Sequence, residues 1–148
     1  MKDDDRLIYL TSMAQQTLTH HTNAVLSKAG SKVTTAQAGI LFFLKEKDMC
    51  MMSAIGQVFD IDNSAVTRLV DRLEKNGLVK RQIPPENRRA ILIGITPEGL
   101  EEGKKAGMII RAINSKIKEG FAPEEVQSYK KILNGILEKF KVEEGIKG

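Results

Sequence analysis

The sequence has little of several residues that define other classes of protein. Its 148 residues include one cysteine, two histidines and no tryptophan. A lone cysteine excludes an internal disulfide framework, and these three side chains fall short of the four ligands of a closed zinc site. No run approaches the ~20 apolar residues of a membrane span, and no glycine-rich phosphate loop is present. We therefore expect neither an enzyme nor a membrane protein, and no metal or cofactor.

Length and composition fit one ordinary domain. Hydrophobic residues make up 41% of the chain and charged residues 28%, which is typical of a globular protein able to bury a core. The first residues, MKDDDRLIYL, are acidic and lack the pattern of a signal peptide. We therefore expect a single domain over residues 1–148 that resides in the cytoplasm.

The stretch from Asp62 to Thr96 has the strongest local pattern. Apolar residues recur there every three or four positions and predict one buried helix face, formed by Val66, Leu69, Val70 and Leu73. Asp62 is suited to cap the start of this helix, and Asn76-Gly77 is suited to end it. The opposite face carries Ser64, Thr67, Arg68 and Asp71, with Arg72 and Lys75 alongside.

Two extended runs follow this helix, Leu78–Ile83 and Ala90–Thr96, and the loop between them carries Arg88 and Arg89. A capped helix with a polar outer face, followed by a hairpin with an arginine tip, is typical of a winged helix-turn-helix, which binds duplex DNA. Seven basic and three acidic residues between Asn63 and Thr96 leave an excess of +4, equal to the formal net charge of the whole chain. The positive charge is thus concentrated where a phosphate backbone would lie.

Four segments resemble the MarR family of bacterial regulators in their order and spacing. They are Val33–Gln37 (VTTAQ), Asp62–Arg81 (DNSAVTRLVDRLEKNGLVKR), the wing tip PENRRA and Ile95–Gly99 (ITPEG). The resemblance implies a mainly α-helical fold with a small β-hairpin wing. It also implies a homodimer that binds a pseudo-palindromic operator in double-stranded DNA, usually as a repressor that a small-molecule or oxidant signal releases.

The resemblance and the helical spacing together suggest roles for individual residues. We expect Ser64, Thr67 and Arg68 to face base edges in the major groove, Arg72 and Arg88 to contact phosphates, and Arg89 to enter the minor groove. The residues expected at the DNA surface are Asn63, Ser64, Thr67, Arg68, Arg72, Asn87, Arg88 and Arg89. The wing tip departs from the family, which usually has Asp-x-Arg there: Asn87 can orient Arg89 by a hydrogen bond but cannot form an ion pair with it.

Long amphipathic helices flank the predicted DNA-binding lobe of residues 33–96. The patterns predict helices over 4–30 and 97–142, whose apolar stripes exceed what one small lobe can cover, so we expect them to form the dimer interface. Gly99, Gly103 and Gly107 share one face of the helix that starts at Pro97. Because each interior glycine costs about 1 kcal/mol relative to alanine, they suggest close helix packing or a hinge, in addition to simple tolerance.

Two alternatives to an effector-released repressor remain. Cys50, within Met49–Met52, could sense oxidants if it were an exposed thiolate, although packing in the core or in a short strand beside the wing suits this run better. Thiol sensors of the MarR family typically carry their cysteine in the first helix, which here has none. His20 and His21 are expected at the surface and core edge of that helix. The other alternative is a dimeric helical adaptor that binds no DNA. The sequence alone assigns no residue to effector binding.

Overall fold

The computed structural model describes residues 6–87 and 89–146, with side chains up to 141. Helices dominate this part of the chain, and a small sheet accompanies them, which confirms the predicted fold class. In chain order the elements are α1 (Leu7–Lys28), α2 (Thr35–Lys45), β1 (Cys50–Met51), α3 (Met52–Phe59), α4 (Asn63–Lys75), β2 (Val79–Gln82), β3 (Leu92–Ile95), α5 (Pro97–Lys118) and α6 (Pro123–Ile146).

The wing is part of a three-stranded antiparallel sheet in the order β1-β3-β2. Strands β2 and β3 pair with Val79 opposite Ile95 and Gln82 opposite Leu92, so both are shorter than the extended runs in the sequence. Strand β1 adds Cys50 opposite Ile93 on the other edge. The methionine-rich run around Cys50 therefore contains the short strand beside the wing that was one of its predicted roles.

The core lies under α4. Val66, Val70 and Leu73 are fully buried, as their spacing predicted, and they pack in one cluster with side chains of α2, α3 and the sheet. Leu69, which shares their predicted stripe, is only partly buried at the edge of this cluster. In α3, Ile55 is buried and Phe59 packs partly against the cluster, but Val58 is half exposed.

Helix α1 buries Thr22 and Leu26. The first of these follows directly after His21, which was expected at the core edge. His21 is exposed, as is His20, so the prediction of a core-edge position for His21 was wrong. The first half of α1 instead exposes large apolar side chains: Leu7, Ile8, Tyr9, Leu10 and Met13.

Helix α5 approaches the start of the wing closely at one glycine. A Cβ atom added at Gly99 would lie 2.0 Å from the carbonyl oxygen of Leu78, so this position requires glycine. Gly103 differs, because an added Cβ would lie 3.6 Å from Cβ of Leu41, an ordinary van der Waals distance. The close contact at Gly99 is therefore with the start of the wing and not with another helix, and the geometry at Gly103 gives no support for the predicted close helix packing.

The chain divides into two compact units, residues 1–111 and 112–148. In the second unit, the side chain of Glu125 accepts a hydrogen bond from the backbone N–H of Ala122 at 2.9 Å and caps α6. This helix exposes a row of large apolar side chains: Tyr129, Ile132, Ile136, Leu137 and Phe140. In the described part of the chain, no helix is both long and apolar enough for a membrane span.

Candidate nucleic-acid interface

Helix α4 presents one continuous polar face to solvent. The residues predicted to contact DNA from this helix are all exposed: Asn63, Ser64, Thr67, Arg68 and Arg72. Its first turn is fixed by Asp62, whose Oδ1 accepts from the backbone N–H of Ala65 at 2.8 Å. This hydrogen bond, followed by one from the Ser64 hydroxyl, holds the pKa of Asp62 below its ordinary value. The carboxylate cap is therefore ionised near neutral pH, and it fixes the first turn of α4, where the polar face begins.

The two hydroxyl side chains on this face have their protons engaged within the helix. Ser64 donates to Oδ1 of Asp62 at 2.7 Å, and Thr67 donates to the carbonyl oxygen of Asn63 at 2.8 Å. With their protons engaged, these exposed hydroxyls can act toward other groups as hydrogen-bond acceptors. Such acceptors suit the exocyclic amino groups of adenine and cytosine in the major groove, whereas Arg68 supplies donors.

The wing tip is a turn organised by Asn87. Its Oδ1 accepts from the backbone N–H of Arg89 at 3.1 Å, and its backbone carbonyl accepts from Ala90 at 3.2 Å. A hydrogen bond between Asn87 and Arg89 is thus present, with the Arg89 N–H as donor, and it orients the backbone of Arg89 and not its guanidinium group. Arg89 is exposed, and Arg88 lies outside the described residues.

Arg81 has a role that the charge count missed. Its guanidinium forms ion pairs with Asp71 and with Glu74, the second at 3.1 Å, and these connect β2 to α4. Since Arg81 is already paired, it cannot be counted with the charges available to phosphates. The two acids lie three positions apart on the helix that precedes Arg81, and this spacing was the only hint of the contact in the sequence.

A basic cleft lies beside α4, between the end of α1, the loop 29–34 and the start of α2. It has a volume of about 450 Å³ and brings Lys32 together with Arg68 and Arg72, although 36 positions separate Lys32 from Arg68. The amides at the start of α2 are mostly occupied: Asn23 accepts from Thr35 at 2.8 Å, and Thr34 forms a capping box with Gln37. An anion in this cleft would therefore meet side-chain cations more than free helix amides.

Glu102 of α5 supports the loop that forms one wall of this cleft. Its side chain is 9% exposed, and its Oε1 accepts from the backbone N–H of Lys32 at 2.9 Å and from the hydroxyl of Ser31 at 3.1 Å. Gly30, with φ +79°, ends α1 in the left-handed conformation that opens this loop. The position of Lys32 is thus determined by α1 on one side and α5 on the other.

A second groove, of about 610 Å³, lies between α2 and α5. Apolar and basic side chains both line it, and they include Leu41, Phe42, Lys45, Leu100, Lys104 and Arg111. Glu101 is the acidic residue on its lining. The groove thus combines an apolar surface with an excess of positive charge.

Cys50 does not have the environment of a reactive thiolate. It is partly buried, and desolvation raises the pKa of its thiol, while the charge of Lys47 lowers it to a smaller extent. A raised pKa reduces the thiolate fraction at neutral pH. Among the described residues, no group of His, Cys, Asp and Glu is arranged to hold a metal ion.

A capped helix that packs on a second short helix and is followed by a β-wing defines the class: a winged helix-turn-helix transcriptional regulator. The model of the MarR family matches residues 33–91. This match covers helix α4 and the wing tip, and it begins one residue after Lys32 of the basic cleft. Residues 33–91 of the chain therefore form a MarR-family domain.

Individual relatives agree with this assignment. The HTH-type transcriptional repressor MdtR of Bacillus subtilis is 32% identical over 67% of this chain and 65% of its own length. The organic hydroperoxide resistance transcriptional regulator of the same organism is 26% identical over 72% of this chain and 71% of its own. A mutant of MarR from E. coli complexed with operator DNA has the same fold, with a TM-score of 0.80, 23% identity, and coverage of 90% of this chain and 94% of that one. These relatives are regulators, not enzymes.

Proposed function

We propose that this regulator binds duplex DNA sequence-specifically through the exposed face of α4 and the wing. The observation that carries the proposal is the separation of faces on α4: Val66, Val70 and Leu73 are fully buried, while Thr67, Arg68 and the other residues predicted to contact DNA are exposed. A helix anchored this way can enter the major groove without loss of its own core contacts. The DNA-bound structure of the E. coli relative has this fold and supports the same mode of docking.

Within this interface some side chains contact the edges of DNA bases and others contact the DNA phosphate backbone. Arg68 supplies donors for a guanine edge, and the hydroxyls of Ser64 and Thr67 supply acceptors for amino groups. Arg72, beside Lys32 in the basic cleft, contacts a phosphate, as does Arg88 of the wing. Arg89 extends from the wing tip toward the minor groove. Asn63 and Asn87 flank these positions, at the first turn of α4 and in the wing turn.

We propose that the active form is a homodimer. Leu7, Ile8 and Tyr9 of α1 are each at least 67% exposed, and Ile132 and Leu137 of α6 more than 60%. Large apolar side chains in rows of this kind usually mark an interface. A second copy of the chain would cover them and place two α4 helices on half-sites about one helical turn apart. Light scattering at micromolar concentration should give twice the chain mass; a folded monomer would contradict the dimer.

We further propose repression that is relieved by a small ligand in the groove between α2 and α5. The name of the relative MdtR supports repression. The groove is within the usual size of ligand sites, and Lys45, Lys104 and Arg111 around an apolar floor favour an amphipathic anion such as an aromatic carboxylate. Titration of the protein–DNA complex with such compounds tests this: release of DNA supports the groove as the effector site, and unchanged binding with every compound opposes it.

The DNA-binding proposal is tested by fluorescence anisotropy on a duplex selected from a random library. Arg68→Ala should weaken binding to the selected duplex by roughly 1–3 kcal/mol and relax preference at one base per half-site. Arg72→Ala should weaken selected and random duplexes about equally and lower the slope of log affinity against log salt by about one unit. If the protein selects no duplex, the proposed function is wrong. If Arg68→Ala binds with unchanged affinity and preference, the assignment of the base-reading face is wrong.

A further inference from the structure

The basic cleft is assembled from parts that are distant in sequence. Arg68 and Arg72 belong to α4, where the exposed face predicts DNA contact, but Lys32 lies on the loop between α1 and α2. Three cationic side chains around one cleft give a local excess of positive charge. Such a cleft suits a phosphodiester group of duplex DNA.

The hydrogen bonds of the loop show what holds Lys32 in the wall of this cleft. On the α1 side, the N–H of Ser31 donates to the carbonyl of Leu26 at 2.9 Å. The next amide, that of Lys32 itself, has Glu102 Oε1 as its acceptor, at 2.9 Å. The same oxygen accepts from the hydroxyl of Ser31, which in turn accepts from the N–H of Val33 at 3.3 Å. Glu102 is therefore the centre of the network that sets the path of residues 31–33.

Glu102 is an unexpected residue at this place. It is nine-tenths buried in a helix whose neighbouring residues Glu101 and Gly103 line the α2–α5 groove. A buried carboxylate has a desolvation cost that only its hydrogen bonds offset. Its charge also opposes the approach of DNA. Both effects are unfavourable. We therefore attribute the presence of this carboxylate to the loop that its hydrogen bonds order.

We propose that Glu102 is a positioning residue for DNA binding: by holding the backbone of Lys32 it places the Lys32 ammonium where, with Arg72, it contacts a DNA phosphate. This inference rests on the proposed DNA binding, and it adds Lys32 to the residues that contact DNA phosphates. Glu102 belongs to α5, which also lines the α2–α5 groove. A ligand in that groove that shifted α5 would therefore move the acceptor of the Lys32 amide and change the basic cleft.

The test compares five variants on the selected duplex and on a random-sequence duplex, each over a range of salt concentrations. If Glu102 acted only through its charge, Glu102→Ala would tighten DNA binding, because it removes a negative charge. If Glu102 instead positions Lys32, Glu102→Ala should bind both duplexes roughly two- to tenfold more weakly than the parent. The slope of log affinity against log salt should fall by about 0.9, the contribution of one phosphate contact. Lys32→Ala should have the same two effects.

Glu102→Gln is the conservative variant, since its amide oxygen can accept the same two hydrogen bonds; it should retain the parental affinity and slope. The double variant Glu102→Ala/Lys32→Ala should bind no more weakly than Lys32→Ala alone, because Glu102 acts through Lys32. Glu98→Ala removes an exposed negative charge from the same helix and should leave the slope unchanged. Thermal melting shows whether each variant folds, and Ser31→Ala, which removes one donor, replaces Glu102→Ala if that protein is unfolded.

Tighter binding by Glu102→Ala, an unchanged slope, or full additivity with Lys32→Ala would overturn the positioning role. A parent protein that binds no duplex would instead refute the proposed function. The two failures are therefore distinguishable.

Discussion

The contact of Gly99 with the start of the wing allows a quantitative prediction for Gly99→Ala. An alanine gains about 0.5–1 kcal/mol of helix propensity over glycine. Here its Cβ would lie 2.0 Å from the carbonyl oxygen of Leu78 and 2.7 Å from Cγ1 of Ile95. Overlap of this kind typically costs about 1–3 kcal/mol, and the carbonyl cannot give way freely because it also accepts from the N–H of Thr96 at 3.1 Å. Loss of that hydrogen bond adds about 1 kcal/mol. We expect a net destabilisation of about 1–3 kcal/mol.

Gly103→Ala is the matched control on the same helix. Its Cβ would meet only Leu41, at 3.6 Å, so we expect it to raise the free energy of unfolding by about 0.5–1 kcal/mol. Urea denaturation followed by circular dichroism measures both. A Gly99→Ala variant as stable as the parent would refute the inferred close approach. A change of operator affinity in Gly103→Ala without loss of stability would instead support the hinge suggested by the spacing of the glycines.

The remaining predictions concern three charged or reactive groups. Arg81→Ala should lower the free energy of unfolding by about 0.5–2 kcal/mol, because it removes two partly exposed ion pairs. It should also weaken DNA binding, because the ion pair between β2 and Asp71 is lost. Unchanged affinity would show that this ion pair has no role in binding. Cys50→Ser should leave the response of DNA binding to hydroperoxide unchanged, since burial raises the pKa of the thiol; a response lost in Cys50→Ser would restore the redox alternative. The capping contribution of Asp62, whose pKa is lowered in the fold, is present above the ordinary carboxyl pKa and is lost as pH falls through the lowered value. Melting temperatures against pH should therefore converge at acid pH for the parent and Asp62→Ala, and a gap that persists there would contradict this.

Local patterns in the sequence were sufficient for the helices, their caps and the wing. The buried stripe of α4 and the capping residues Asp62 and Thr34 depend on neighbours within one or two turns, so spacing alone defines them. In α1 the apolar residues extend around the helix, and His21, expected at the core edge, lies one position away from the buried Thr22. A stripe without a clear polar edge does not define which residue points at the core.

The parts of the site that were missed depend on contacts between distant residues. The hydrogen bond from the Lys32 amide to Glu102 spans 70 positions, and nothing in the pattern around either residue indicates it. Arg81 was counted with the DNA-facing charges because its pairing with Asp71 crosses the turn between α4 and β2. Gly99 was singled out by its spacing, but only the position of the Leu78 carbonyl shows why this glycine differs from Gly103.

The central claim, that the exposed face of α4 reads bases, is tested most directly by changing one atom of the DNA. In the selected duplex, each guanine of a half-site is replaced in turn by 7-deazaguanine, which lacks the N7 acceptor that an arginine contacts in the major groove. We expect one position at which the parent loses affinity by roughly 1–3 kcal/mol and Arg68→Ala loses none, so that the two changes are not additive. If no replacement affects the parent, or if Arg68→Ala shows the same loss as the parent at every position, Arg68 does not read a guanine and the claim is contradicted.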